Sequence, residues 1–143
     1  MYLLKTSASF DSAHFLKGYN GKCANLHGHT WRVEVEVSAG ALVTEGEKRG
    51  MVIDFSDLKR AVRALADRFD HTLIYEAGSL SERTLTVLTE EGFSLTAFPL
   101  CPTAENLAKY FFDALAASLP VRRVAVFETP DNCAVYEEDR ACR

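Results

Sequence analysis

Seven consecutive residues, Cys23-Ala24-Asn25-Leu26-His27-Gly28-His29, carry a thiol and two imidazoles, groups that bind a soft divalent metal or move protons. His27 and His29 are two residues apart, so on an extended chain both project from one face, which is chelating geometry. The pair alone is equally compatible with one buried, hydrogen-bonded imidazole and one solvated neighbour. The chain has only two other histidines, His14 and His71, and their placement decides between the readings.

The elements around these residues can be read from side-chain alternation. From Tyr2 to His14 the even positions include Leu4, Ala8, Phe10 and His14, whereas Lys5, Ser7, Ser9 and Asp11 occupy the odd ones, the pattern of a half-buried strand. A second strand follows a loop over Phe15–Asn25. In it Trp31, Val33, Val35 and Val37 alternate with Arg32, Glu34 and Glu36, and His27 and His29 share the parity of the apolar side. If the two strands pair antiparallel, His14 leaves the end of one where His27 and His29 open the other. Three histidines with an open fourth position are the ligand set of catalytic rather than structural zinc.

Asp54 or Ser56 caps a predicted helix whose buried stripe is Leu58, Ala61, Val62, Leu65, Ala66 and Phe69. It ends at Asp70-His71, a carboxylate beside an imidazole that can act as a proton-transfer unit. Lys59, Arg60, Arg63 and Arg68 form its solvent side and are candidates for binding phosphates. The stretch 72–100 carries weaker signals, a short helix over 81–91 and an extended piece over 93–98. Thr103 caps a further helix with Ala104, Leu107, Ala108, Phe111 and Leu115 inward, and Pro120 stops it. Val124–Phe127 and Ala134–Tyr136 read as strands joined by a turn at Pro130, Asp131 and Asn132, with Glu128 leaving the first on its apolar parity. The principal order is strand, strand, helix, helix, strand, strand, an α+β arrangement.

Composition bounds the function. Charged residues are 25% and hydrophobic residues 48% of the 143, as in ordinary globular domains, and no apolar run approaches the ~20 residues of a membrane span. Sixteen basic against twenty acidic residues give a net charge of −4, which argues against general nucleic-acid binding and for a small-molecule partner. Without a secretory signal pattern at Met1–Thr6, the expected location is cytoplasmic. The four cysteines, Cys23, Cys101, Cys133 and Cys142, form no disulfide framework; all but Cys23 read as structural or incidental.

Taken together, Cys-x-x-x-His-Gly-His, Ser-Ala-His at 12–14, Val-Ile-Asp-Phe-Ser-Asp-Leu-Lys at 52–59, Asp-His at 70–71, Pro-Thr-Ala-Glu-Asn at 102–106 and Glu-Thr at 128–129 resemble the pyruvoyltetrahydropterin synthase family in its bacterial carboxytetrahydropterin synthase branch. The resemblance spans nearly the whole chain. It implies one domain over 1–143 with an insertion at about 76–100, and the tunnelling fold: a four-stranded antiparallel sheet, two helices on one face, order ββααββ. It also implies homo-oligomeric rings, commonly hexamers.

By the same resemblance His14, His27 and His29 are zinc ligands, Cys23 the catalytic thiol, Asp70 and His71 the proton-transfer pair, Glu128 the pterin anchor and Thr103 a residue near it. Three residues between Cys23 and His27 mark the carboxy-forming branch, the pyruvoyl-forming branch usually having five. The implied reaction is conversion of 7,8-dihydroneopterin triphosphate to 6-carboxy-5,6,7,8-tetrahydropterin, acetaldehyde and triphosphate, a step toward queuosine. Pyruvoyl formation from the same substrate and a non-catalytic zinc module, with Cys23 as fourth ligand, are the alternatives.

Overall fold

A computed structural model describes residues 1–138; Cys142 lies outside them. Strand β1 (Tyr2–His14) pairs antiparallel with β2 (His27–Ala39) along its full length, with His14 opposite His27, Ser12 opposite His29 and Phe10 opposite Trp31. This register follows from burial: slipping either strand by one residue would turn Phe10 or Trp31 to the opposite face. Gly28 lies opposite Ala13, and a Cβ there would stand 3.2 Å from the Ser12 carbonyl oxygen. The small residue between the two histidines lets the strands approach at this point.

Helix α1 (Phe55–Asp67) is capped by Asp54, whose carboxylate accepts from the Ser56 N–H at 2.7 Å. A turn leads to β3 (Thr72–Glu76), then α2 (Glu82–Glu90), β4 (Leu95–Phe98) and α3 (Ala104–Ala116). The chain closes with β5 (Val121–Phe127) and β6 (Cys133–Glu137), both antiparallel to their neighbours.

The sheet order is β4-β3-β1-β2-β5-β6. The four expected strands β1, β2, β5 and β6 are present and antiparallel, but among the described residues the sheet has six. Strands β3 and β4 extend it as parallel additions, β3 meeting β1 only at Ser12, Ala13 and His14. Strand β4 falls within the extended piece expected over 93–98, whereas β3, five residues long, is too short for alternation to reveal. Beyond this contact, β1 from Tyr2 to Asp11 pairs, among the described residues, on its β2 side only.

Helices α1 and α3 bury Leu58, Val62, Leu65 and Ala66, and Leu107, Ala108, Phe111, Phe112 and Leu115, against one face of the sheet. Phe10 lies among Trp31, Phe69 and Phe111, with ring centroids 5.7–6.1 Å apart. This aromatic layer continues directly into the histidines: the Trp31 ring is 4.9 Å from His14 and 5.2 Å from His29. The core thus forms a rigid floor under the imidazoles. Helix α2 buries none of its residues.

Candidate metal centre and its cavities

The register brings His14, His27 and His29 together, with one ligand nitrogen from each lying within 4.8 Å of the others. His14 is fully buried, and its Nδ1 is 2.8 Å from the Pro102 carbonyl oxygen; His27 Nδ1 is 2.7 Å from the Asn25 carbonyl oxygen. A carbonyl only accepts, so in both rings Nδ1 is the donor, and Nε2 of each ring is turned inward. Those two atoms are 3.1 Å apart. Two lone pairs facing each other at that distance repel unless a proton or a metal ion lies between them. His29 Nε2 is also buried without a hydrogen bond, which brings a third nitrogen to the same point.

Burial lowers the pKa of His14, and the neighbouring His27 and His29 add to the shift, against the opposing effects of the Pro102 carbonyl and Glu128. Burial likewise lowers that of His29, with Glu128 opposing. Both imidazoles are therefore neutral at pH 7, the state a metal requires. The donor set, its tautomers and the backbone carbonyls behind two of the rings fit a zinc ion.

A pH dependence follows for the metal-free protein. As pH falls below the ordinary histidine value of about 6.5, the unfolded chain takes up protons at positions 14 and 29 while the folded chain, with lowered values, does not. The stability contribution is present above about 6.5 and is lost as pH falls toward the folded values. Denaturant unfolding of chelated protein is expected to give a lower stability at pH 5.5 than at pH 7.5. A stability that is flat or rises on acidification would contradict the burial of neutral rings.

Glu128 extends from the end of β5 to the triad, its Oε1 being 3.4 Å from His29 Nε2 and 3.6 Å from His14 Nε2. On its other side it lines a cavity of about 300 Å³ together with Cys23, Thr103, Tyr19 and Glu105. Cys23 is half-buried in a 3₁₀ turn over Lys22–Ala24, held by the Leu16 N–H, which donates to its carbonyl at 2.9 Å. Thr103 caps α3, its hydroxyl oxygen accepting from the Asn106 N–H at 3.3 Å. Cys133, read from sequence as incidental, stands on the wall of this cavity. Tyr19 and Glu105 were not singled out by sequence; a loop tyrosine and a glutamate in a first helical turn have ordinary surface roles in any chain.

Asp70 and His71 are within hydrogen-bonding reach, with His71 Nδ1 3.0 Å from Asp70 Oδ2. The other Asp70 oxygen accepts from the Asp11 N–H at 2.9 Å, and the His71 N–H donates to the Asp11 carbonyl at 2.6 Å. The Asp11 N–H, and then His71, hold the Asp70 carboxyl below its usual pKa, so it stays ionised and orients the ring. His71 has φ 56°, the left-handed region that a non-glycine residue occupies at a cost, and its side chain is largely exposed. It lines a different cavity, of about 700 Å³, with Leu26, Leu73, Leu88, Phe93 and Leu95. Asp11, Ala13 and Thr30, which project away from α1 and α3, border that cavity too, as do Gly28 and the triad's His29. Within one chain, Cys23 and His71 therefore line separate cavities. Of the basic residues on α1, Arg60 pairs with Asp57, and Arg63 donates to the Ser9 carbonyl at 2.9 Å.

The family described as 6-pyruvoyl tetrahydropterin synthase matches residues 3–139. A 6-carboxy-5,6,7,8-tetrahydropterin synthase of Haemophilus influenzae is 39% identical, the match covering 96% of this chain and 100% of the relative. A protein of the same description from Synechocystis is 32% identical over 98% of this chain and 96% of its own length. Among solved structures, the Caenorhabditis elegans 6-pyruvoyl tetrahydropterin synthase superposes with a TM-score of 0.66 at 24% identity, covering 96% of each chain. That likeness shows the tunnelling fold.

Proposed function

This chain belongs to the 6-pyruvoyl tetrahydropterin synthase family, and we propose that within it the chain is a 6-carboxy-5,6,7,8-tetrahydropterin synthase. In this reading it is a carbon-carbon lyase that converts 7,8-dihydroneopterin triphosphate to 6-carboxytetrahydropterin, acetaldehyde and triphosphate, a step in queuosine biosynthesis. The observation that carries the reading is the convergence of three imidazoles next to Glu128, which lines a cavity together with the thiol of Cys23. The branch rests on the names of the full-length relatives and on the three-residue gap between Cys23 and His27.

His14, His27 and His29 would hold zinc, which when bound supplies a Lewis acid for the hydroxyl-bearing carbons of the substrate side chain. Cys23 takes a proton from one of those carbons as thiolate base. Glu128 accepts two hydrogen bonds from the amino group and ring N–H of the pterin and so fixes its orientation before chemistry; Thr103 lies on the same wall. Asp70 keeps His71 aimed outward as the second proton carrier.

Since Cys23 and His71 line separate cavities, the His71 that meets Cys23 belongs to a neighbouring copy in the proposed hexameric ring. The edge of β1 beside Lys5 and Ser7, unpaired by any strand among the described residues, supports edge-to-edge assembly. The chain is read as one domain with 76–100 inserted, placed in the cytoplasm. No helix among the described residues is long and apolar enough to cross a membrane.

Pyruvoyl formation from the same substrate is the second reading, favoured by the description of the matching family. Incubation of zinc-loaded protein with dihydroneopterin triphosphate separates the two. Acetaldehyde release is the expected result, and turnover without acetaldehyde would assign the pyruvoyl-forming reaction.

A further inference from the structure

We propose that Asn106 is a positioning residue of the metal centre, acting through a turn that aims the Pro102 carbonyl at His14. The Thr103 N–H donates to the Cys101 carbonyl at 2.8 Å, closing a three-residue turn with Pro102 at its centre. The fixed φ of proline suits that position, and such a turn directs the carbonyl of its central residue outward. Here that carbonyl is the acceptor for His14 Nδ1–H at 2.8 Å. The Asn106 side-chain amide donates to the same Cys101 carbonyl at 2.9 Å, while its backbone N–H binds Thr103 Oγ1 at 3.3 Å. One residue in the first turn of α3 thus ties both ends of the Cys101–Thr103 turn.

Pro102 is buried, and His14 is fully buried with a single backbone acceptor for its Nδ1–H. The direction of the Pro102 carbonyl therefore decides which nitrogen of His14 faces His27 and His29. Partners of this kind, one bond removed from a metal, typically change affinity by roughly 10–100-fold. The inference rests on the metal reading above.

Asn106→Asp separates positioning from folding. It preserves volume and places a carboxylate in the first turn of α3, where the helix dipole favours it, but it replaces the donor with an acceptor facing the Cys101 carbonyl. Zinc affinity of the full chain, measured by competition with a chelator of known affinity, is expected to fall by about 10-fold, the lower end for a direct partner of a ligating histidine. The unfolding temperature of the chelated protein should stay close to that of the unsubstituted chain. Ring nitrogen NMR of the metal-free protein should show His14 as the Nδ1–H tautomer in the parent and as a mixture in the variant.

Unchanged zinc affinity with unchanged His14 signals overturns the inference. If Asn106→Asp does not fold, Asn106→Ala is read by the same two measurements; if neither folds, the amide is structural and the inference falls. A His14→Ala chain that binds zinc as tightly as the parent would instead overturn the metal reading itself.

Discussion

Replacing Cys23 with alanine is expected to lower kcat on dihydroneopterin triphosphate by roughly 10²–10⁴-fold, the usual contribution of a positioned acid or base, while zinc content stays at one ion per chain. The expectation follows from where the thiol stands. Cys23 lies in the loop before β2 and lines the cavity that Glu128 and Thr103 also border, whereas the group able to hold an ion among the described residues consists of His14, His27 and His29. It is half-buried in a short turn and outside the hydrophobic core, so its side chain contributes little to folding. Metal analysis alongside steady-state kinetics checks this. If zinc is lost together with activity, Cys23 is a ligand and the centre is a closed structural site.

His27→Ala carries the second large effect. Of the three imidazoles His14 is the one sealed in the core, so replacing it would also open a cavity; His27 is only partly buried and tests the chelate more cleanly. Losing one of three nitrogens should weaken zinc by more than the roughly 100-fold upper range for a supporting residue, and turnover should become undetectable at micromolar zinc. The chelated variant should unfold at or above the temperature of the chelated parent, because the 3.1 Å opposition of the His14 and His27 Nε2 atoms is removed. A site held for its chemistry at some cost in stability behaves in this way. A variant that keeps its zinc and loses metal-free stability would give His27 a packing role instead.

Much of this was readable from residue order, and the unreadable part has identifiable causes. Alternation in β1 and β2 is strict because one face of each is packed under α1 and α3, and that alone placed His14, His27 and His29 on a common face. Asp54 and Thr103 announced their helices through side-chain oxygens, and both cap as expected. The extended piece expected over 93–98 contains β4, but β3 was hidden because five residues cannot display a period, and its pairing depends on the distant end of β1. The partners of His14 and His27 are carbonyls of Pro102 and Asn25, and backbone atoms leave no mark in a sequence. The separation of His71 from Cys23 was invisible for a related reason: it is set by a left-handed backbone at His71 and by Asp11, on the edge of a strand 59 residues from Asp70.

The mass balance of the reaction decides whether the triad, Cys23 and Glu128 together perform a carbon-carbon cleavage on a pterin triphosphate. Zinc-loaded protein is incubated with 7,8-dihydroneopterin triphosphate, and the pterin is identified by mass spectrometry while acetaldehyde and triphosphate are quantified. The predicted result is 6-carboxytetrahydropterin with one acetaldehyde and one triphosphate for each pterin formed. Recovery of intact substrate, or of a pterin that retains its three-carbon side chain, would contradict it.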